Sequence, residues 1–256
     1  MVDMGDYEGR TAVITGAASG MGLCAAQKLC AAGANVVMCD LDEARLRQEV
    51  ERLNGCAGGK CGRAYACVTD VRKFADAEKA AALALAETGR IDLVVPFAGG
   101  YEPRMCGTEG VPFYEQPVEV LDWGIGVNLM GPIYFARACM PAMVKAGRGV
   151  ICCIGSVTGF EGDGDGAMYG TAKSGLYNFV KGLAQAGAPH GVRAFCVTPG
   201  PVMTRPGMAG MRTLQGHAAE PGELVDFVLF LASDSCRCIT GSNHVMDCGR
   251  LALQPQ

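Results

Sequence analysis

Tyr169 and Lys173 stand four residues apart, and Ser156 lies thirteen residues before the tyrosine. Positions i and i+4 share one face of a helix, so the lysine ammonium can lie beside the phenol. An ordinary phenol, with a pKa of about 10, is a poor base at neutral pH, and a nearby positive charge lowers that pKa. Tyr169 is therefore a candidate to exchange a proton with an alcohol or a carbonyl, and Ser156 can donate a hydrogen bond to the same substrate oxygen. Such a pair is also found on solvated helix faces, so the surrounding sequence must show whether this one is catalytic.

A glycine-rich loop lies between a predicted strand and a predicted helix near the start of the chain. Residues 10–15 form a short apolar run, and Gly16, Gly20 and Gly22 follow with the spacing Gly-x-x-x-Gly-x-Gly. A strand, a glycine loop and a helix in this order are typical of a dinucleotide-binding fold. The glycines let the backbone approach a diphosphate, and the helix N-terminus offers unpaired N–H groups to it. A turn of small residues is the simpler alternative.

The next predicted strand, 34–39, decides between these readings because it ends at Asp40, eighteen residues after Gly22. An acid at about this offset binds the ribose hydroxyls of a dinucleotide. A carboxylate there also repels a 2′-phosphate, and the neighbouring Ser19 and Leu41 carry no positive charge. The sequence therefore favours NAD over NADP.

Apolar strands alternate with helical patterns over residues 1–256, which predicts a single α/β domain. Such alternation indicates a doubly wound parallel sheet of seven strands with helices on both faces. The predicted strands are 10–15, 34–39, 63–68, 91–97, 149–154, 192–198 and 243–246. Helices are predicted to start near residues 20, 42, 72, 117, 167 and 221.

Together these motifs resemble the short-chain dehydrogenase/reductase family, over about residues 8 to 250. The family is NAD- or NADP-dependent and has a Rossmann-type fold. The elements that carry the resemblance are Thr15-Gly16-x-x-x-Gly20-x-Gly22, Asp40, Asp70-Val71, Ala98-Gly99, Asn128, Ser156, Tyr169-x-x-x-Lys173, Pro199-Gly200 and Asp247-x-Gly249. Where the family usually has Asn-Asn before Ala-Gly, this chain has Pro96-Phe97, so the local hydrogen bonding must differ because proline lacks a donor.

The resemblance implies roles for the matching residues. Ser156, Tyr169, Lys173 and Asn128 are the implied catalytic residues, with Asn128 in a distorted helix where it holds a water against Lys173. Asp70 and Val71 are expected to touch adenine. The implied cofactor-binding residues are Gly16, Ser19, Gly20, Met21, Gly22, Asp40, Leu41, Asp70, Val71, Phe97, Ala98, Gly99, Tyr169, Lys173, Pro199, Gly200, Val202 and Thr204.

Two segments, 100–117 and 203–220, follow strands and are expected to shape the substrate pocket. Their methionines and aromatic residues fit an apolar cavity for a bulky secondary alcohol such as a hydroxysteroid, and equally fit simple packing of a lid. We therefore expect an NAD-dependent oxidoreductase that interconverts a secondary alcohol and a ketone. The alternatives are an NADP-type carbonyl or 3-oxoacyl reductase and a non-catalytic NAD-binding sensor.

Composition narrows the partners and the compartment. The net charge is −4 with acids and bases interspersed, which argues against a nucleic-acid surface. The sequence contains no run of about 18 apolar residues, so no membrane span is predicted. The acidic N-terminal segment lacks a signal-peptide pattern, so a cytoplasmic protein is expected. The family resemblance implies a homotetramer or homodimer built from helices around 117–145 and 167–187.

Fourteen cysteines is a high count for one domain. Five of them fall in or beside predicted strands, where free cysteine acts as a small hydrophobic residue: Cys39, Cys67, Cys152, Cys153 and Cys196. No spacing matches a paired Cys-x-x-Cys zinc site, so no metal is expected. Metal binding or redox activity at Cys236-Arg237-Cys238 is the alternative for this segment. The acids of 161–165 resemble the start of a calcium loop, but the full pattern is absent and a solvated loop is expected.

Overall fold

A computed structural model describes residues 7–55 and 61–253 of the chain. Within these residues seven parallel strands form one sheet, in the order β3-β2-β1-β4-β5-β6-β7. The strands are β1 (Thr11–Thr15), β2 (Asn35–Asp40), β3 (Ala64–Val68), β4 (Leu93–Pro96), β5 (Gly149–Ile154), β6 (Val192–Pro199) and β7 (Asn243–Met246). The predicted fold class and the strand positions are confirmed. The strand order reverses next to β1, and this switch point is where open α/β sheets bind ligands.

Helices cover both faces of the sheet. They are α1 (Gly20–Ala31), α2 (Glu43–Gly55), α3 (Phe74–Thr88), α4 (Glu102–Cys106), α5 (Val118–Ile125), α6 (Gly131–Ala146), α7 (Thr158–Glu161), α8 (Ala167–Gly187) and α9 (Pro221–Ala232). Alternate side chains of β1 point to opposite faces: Ile14 packs with α1, α2 and α9, whereas Val13 packs with α3, α6 and α8. Each face is therefore a separate apolar core.

The helical region that starts near residue 117 is interrupted. Between α5 and α6 the chain makes one π-helical turn at Gly126–Met130, and this turn contains Asn128. Turns of this kind inside helices are rare and are frequent at functional sites. The expectation that Asn128 lies in a distorted helix is met.

Pro96 ends β4, opposite Thr15 of β1. The pairing of β4 with β5 covers Leu93 and Val94 and stops before the proline, which has no N–H to donate. Beyond it, the Thr15 hydroxyl accepts a hydrogen bond of 3.0 Å from the Ala98 N–H. A side chain therefore ties the carboxyl end of β1 to the chain that leaves β4.

The five cysteines predicted to lie in the strands or beside them are buried, and they are free thiols. In residues 7–55 and 61–253, no group of three or more His, Cys, Asp and Glu side chains is placed to hold a metal ion. No helix of the same residues combines the length and the apolar character needed to cross a membrane.

Candidate active site

Tyr169 and Lys173 lie one turn apart on α8, as their spacing predicts. The Lys173 Nζ lies 5.5 Å from the centre of the Tyr169 ring. It also donates a hydrogen bond of 2.8 Å to the carbonyl oxygen of Ile154, the last residue of β5. Only 4% of the lysine is exposed, so its ammonium is held inside the cleft and not on a solvated helix face.

The pKa of Tyr169 differs from the expectation that the neighbouring positive charge lowers it. Burial lowers the pKa of Lys173 to about 8, because the charged form loses water. Burial likewise raises the pKa of Tyr169, while the Ser156 hydroxyl and the positive charge of Arg104 act in the opposite direction. Desolvation outweighs the nearby charges, so the protein without cofactor does not hold the phenol pKa below its ordinary value.

Ser156 follows β5 by two residues and is almost fully buried. Its Oγ accepts a hydrogen bond of 3.2 Å from the Thr158 N–H, and its carbonyl oxygen accepts one from the Tyr177 hydroxyl. The next residue, Val157, donates its N–H to the Pro199 carbonyl at 3.0 Å. These contacts fix the Ser156 hydroxyl beside the Tyr169 phenol, where both can reach one substrate oxygen.

Asn128 is completely buried, and both polar atoms of its side chain form hydrogen bonds with the main chain. Its Oδ1 accepts from the Gly100 N–H at 3.0 Å, and its Nδ2 donates to the Gly100 and Gly124 carbonyls at 2.9 and 3.0 Å. The asparagine thus fastens the segment after β4 to the π-helical turn. Both side-chain N–H donors are occupied, so a relay water here could only donate to an acceptor oxygen of this residue.

The glycine loop between β1 and α1 has the geometry of a diphosphate cradle. Gly16 has a φ of +64°, and a Cβ there would lie 2.9 Å from the Ala98 nitrogen. At Gly22, a Cβ would collide with the carbonyl oxygen of Gly16. Ser19 caps α1 without a side-chain hydrogen bond, and the first turn of α1 has no acidic residue. The positive end of this helix is therefore open to an anionic group, which fits the diphosphate of a dinucleotide.

Asp40, at the end of β2, lies beside the glycine loop. Its Oδ2 accepts a hydrogen bond of 2.9 Å from the Ala18 N–H, so the carboxylate lies against the glycine loop. Leu41 is exposed, and Arg47 is held by Glu43 through an ion pair of 2.7 Å. Among the described ion pairs and hydrogen bonds, none brings a cation to the Asp40 carboxylate.

The residues expected at adenine lie just beyond β3, which ends at Val68. The Asp70 carboxylate is engaged by Arg72 through two hydrogen bonds of 2.9 and 2.8 Å, and this contact lowers the pKa of Asp70. Val71 packs closely against Gly131 of α6: a Cβ atom added to this glycine would lie 3.2 Å from the valine side chain. An adenine contact from Asp70 would therefore compete with Arg72.

A cavity of about 340 Å³ opens at the carboxyl edge of the sheet and joins these parts. Of the expected site residues, the cavity is lined by Met21, Phe97, Gly99, Ser156, Tyr169, Lys173, Pro199, Gly200, Val202 and Thr204. The remaining expected residues do not line this cavity: Gly16, Ser19, Gly20, Gly22, Asp40, Leu41, Asp70, Val71, Ala98 and Asn128. The cavity thus brings Tyr169 together with Pro199, Gly200, Val202 and Thr204, which the family resemblance implies for cofactor binding.

Three charged residues at this site do not follow from motif spacing. Glu102 of α4 is buried and accepts hydrogen bonds from the first turn of α8. Arg104 of α4 and Arg205 after β6 both line the cavity. The two arginines belong to the segments 100–117 and 203–220, which are expected to shape the pocket. Their charge within these segments is the sequence feature that could have identified them as site residues.

Residues 10–213 match the family model described as short chain dehydrogenase. The chain is 34% identical to trans-4-hydroxycyclohexanecarboxylate dehydrogenase of Sinomonas cyclohexanicum, with 95% of this chain and 93% of that protein covered. It is 26% identical to 7alpha-hydroxysteroid dehydrogenase of Bacteroides fragilis, with 98% of both chains covered. Among solved structures, it resembles a 3-oxoacyl-[acyl-carrier protein] reductase with bound NAD from Brucella melitensis, with a TM-score of 0.85 and 30% identity over 96% of this chain and 92% of that one.

Proposed function

Because the chain belongs to the short-chain dehydrogenase/reductase family, we propose that it is an NAD-dependent dehydrogenase that interconverts a secondary alcohol and a ketone. One observation carries the proposal: the Ser156 hydroxyl, the Tyr169 phenol and the buried Lys173 ammonium meet in a single cavity at the carboxyl edge of the sheet. The same cavity includes Gly99, Pro199 and Gly200, where a flat ring can approach the main chain. A non-catalytic sensor would not need this cluster.

The glycine loop, the start of α1 and Asp40 would hold the dinucleotide. When bound, NAD⁺ supplies the acceptor for a hydride, which the side chains of the protein cannot provide. Asp40 favours NAD because its carboxylate can accept hydrogen bonds from the ribose hydroxyls and would repel a 2′-phosphate. The open N-terminus of α1, with no acid in its first turn, supports the placement of the diphosphate there.

Tyr169 is proposed to take the hydroxyl proton of the alcohol during oxidation and to return it during reduction. Ser156 would orient the substrate oxygen through a hydrogen bond. Lys173 lies within 5.5 Å of the phenol ring and stabilises the phenolate as it forms. The desolvated phenol needs this help, because burial alone works against loss of its proton.

The substrate is proposed to be a cyclic secondary alcohol. Met208 and Met211 form part of the cavity wall, and such apolar surface suits a hydrocarbon ring. The relatives act, by name, on a hydroxycyclohexanecarboxylate and on a hydroxysteroid. A cavity of about 340 Å³ that must also receive the nicotinamide favours the single ring over the fused rings, which would extend into solvent.

Formation of NADH from a panel of alcohols tests the proposal. The panel contains cyclohexanol, cis- and trans-4-hydroxycyclohexanecarboxylate, a hydroxysteroid and a primary alcohol, each offered with NAD⁺ or NADP⁺. We expect turnover of cyclic secondary alcohols with NAD⁺ and none with the primary alcohol. Binding of NADH without turnover of any member would favour a sensor. Reduction of a 3-oxoacyl thioester with NADPH as the preferred donor would favour the reductase named for the Brucella structure.

A homodimer or homotetramer is proposed from α5, α6 and α8. These helices cover one face of the sheet, and Val118 at the start of α5 leaves 64% of its surface exposed. Light scattering coupled to size exclusion would test the assembly. A monomer at micromolar concentration would contradict it.

A further inference from the structure

Two arginines face the same cavity from opposite segments. Arg104 lies on α4, which follows β4, and is half-buried. Arg205 lies after β6 and is exposed. Both line the cavity that contains the Tyr169 hydroxyl, and their positive charges act on the same phenol. Positive charge is therefore concentrated on the substrate side of the reacting group.

Neither arginine is paired with a carboxylate among the residues that the structure describes. Within residues 7–55 and 61–253, their guanidinium groups form no ion pair and no hydrogen bond, whereas Arg10, Arg90 and Arg250 are each held by a carboxylate. Glu109 influences Arg104 only at longer range, and burial together with the charge of Arg205 lowers the pKa of Arg104. Two uncompensated guanidinium groups that repel each other are stabilised when an anion binds between them.

The acids of the neighbouring loop do not fill this role. Glu161 is paired with Arg250 at 2.9 Å. Asp163 reaches the cavity, but its Oδ1 accepts hydrogen bonds from the Tyr101 hydroxyl and from the main-chain N–H groups of Asp165 and Gly166. Glu102 is turned away toward α8. Among the described ion pairs, none joins Asp163 or Glu102 to either arginine. The two guanidinium groups therefore remain available to an anion, although Asp163 keeps one negative charge in the cavity.

We propose that Arg104 and Arg205 bind a carboxylate of the substrate, so that the preferred substrates are hydroxy acids whose carboxylate lies across the ring from the reacting hydroxyl. This inference rests on the proposed dehydrogenase function and adds the charge class of the substrate. Guanidinium groups suit this task because their N–H donors match the two oxygens of a carboxylate. The cavity between them and Tyr169 has space for a compact apolar ring.

The test compares two ligands of nearly the same shape and different charge. Trans-4-hydroxycyclohexanecarboxylate and its neutral carboxamide are each assayed for kcat/KM with NAD⁺, and cyclohexanecarboxylate and cyclohexanecarboxamide are each titrated by calorimetry into the protein with NADH. For the parent protein we expect the carboxylate to be preferred by about tenfold or more, the scale of a charge-assisted hydrogen bond. Arg104→Met and Arg205→Met should each lose most of that preference, in kcat/KM and in calorimetric affinity. Because both charges also act on the Tyr169 phenol, the ratio of carboxylate to carboxamide is the quantity compared, and not the rate with either substrate alone.

Arg212→Met is the matched control. It removes the same charge from the segment after β6, but Arg212 does not line the cavity. We expect it to keep the carboxylate preference, which separates local contact from a change in net charge. Equal loss in all three variants would overturn the inference.

Three other outcomes separate the carboxylate-binding inference from the dehydrogenase function. A parent that oxidises cyclohexanol but binds carboxylate and carboxamide equally would overturn the inference and leave the dehydrogenase function standing. If Arg205→Met raises KM for NAD⁺ and leaves the carboxylate preference intact, Arg205 serves the cofactor and the inference is wrong. Arginine-dependent binding of carboxylate without NADH formation from any alcohol would support the anion site and refute the dehydrogenase function.

Discussion

Glu102 accepts a hydrogen bond of 3.1 Å from the main-chain N–H of Tyr169. The same carboxylate oxygen accepts one of 2.9 Å from Met168, and only 1% of the glutamate is exposed. A residue of the substrate segment therefore holds the first turn of the helix that carries the proposed base. A carboxylate at a helix N-terminus is also favoured by the helix dipole. Through this contact, the segment after β4 sets where the phenol stands.

Glu102→Met removes the acceptor and keeps the bulk. We expect kcat to fall roughly tenfold, because a small displacement of a catalytic group is costly, while KM for NAD stays within about threefold. Glu102→Gln keeps an acceptor oxygen and should restore kcat to within about threefold. Steady-state kinetics on both variants separates the effect on kcat from the effect on KM for NAD. A role in folding alone would instead lower the amount of active protein without changing kcat per active site, which an active-site titration would reveal.

Tyr169→Phe deletes the hydroxyl and keeps the ring. If the phenol transfers the proton, turnover should fall by at least about 10²-fold, the scale of general acid–base catalysis. NAD affinity, measured by calorimetry, should remain within a few-fold. Tyr65→Phe on β3, outside the cavity, is the matched control and should keep full activity. A phenylalanine variant with activity within threefold of the parent would remove Tyr169 from catalysis.

Lys173 should leave a signature in the pH dependence of stability. Its pKa is lowered from 10.5 to about 8 by burial, so between these values the unfolded chain binds more protons than the folded one. The free energy of unfolding contributed by this group therefore increases as the pH rises from about 8 toward 10.5. Urea unfolding without cofactor at pH 7, 8, 9 and 10 measures this rise on top of the opposite effect of the buried thiols, whose raised pKa values lower stability at alkaline pH.

Lys173→Met should flatten that rise. Lys181→Met, which removes an exposed lysine of the same helix, should keep it. The comparison between the two variants cancels the titration of other groups. Parallel curves for the parent and Lys173→Met would show that the Lys173 ammonium is not destabilised in the folded protein.

The strands and the proposed catalytic residues followed from local patterns because their signals are local. A buried parallel strand appears as an apolar run, and Tyr169 and Lys173 meet through the repeat of a single helix. Seven strands and the starts of six helices were placed within two residues in this way. Asn128 and its distorted helix came from the family resemblance, since nothing in residues 126–130 signals a π-helical turn.

The charges of the pocket could not be placed by the same means. Glu102 contacts α8, and Arg104 and Arg205 line one cavity, although the segments involved are far apart in the chain. Their contacts depend on how the chain folds after β4 and β6, which no periodicity describes. The pKa of Tyr169 was likewise expected to be lowered by Lys173, because the spacing shows the neighbouring charge but not the burial that opposes it.

Asp40 is expected to set the choice of cofactor. The parent should prefer NAD⁺ over NADP⁺ by about 10²-fold or more in kcat/KM, because a 2′-phosphate would face a carboxylate and break its hydrogen bonds to the ribose. Asp40→Ser with Leu41→Arg removes the repulsion and adds a phosphate partner, so the ratio should narrow by at least about tenfold. Asp40 also accepts from the Ala18 N–H, so activity with NAD⁺ should fall as the glycine loop loosens.

The ratio of the two cofactors therefore matters more than either rate. Asp42→Asn is the matched control: it removes a carboxylate two residues away and keeps an oxygen that can accept from the Arg45 N–H, as Asp42 does at 3.1 Å. It should leave the ratio within about twofold. A parent that prefers NADP⁺, or a double variant whose ratio equals that of the control, would mean that Asp40 serves only to hold the glycine loop and does not face the ribose.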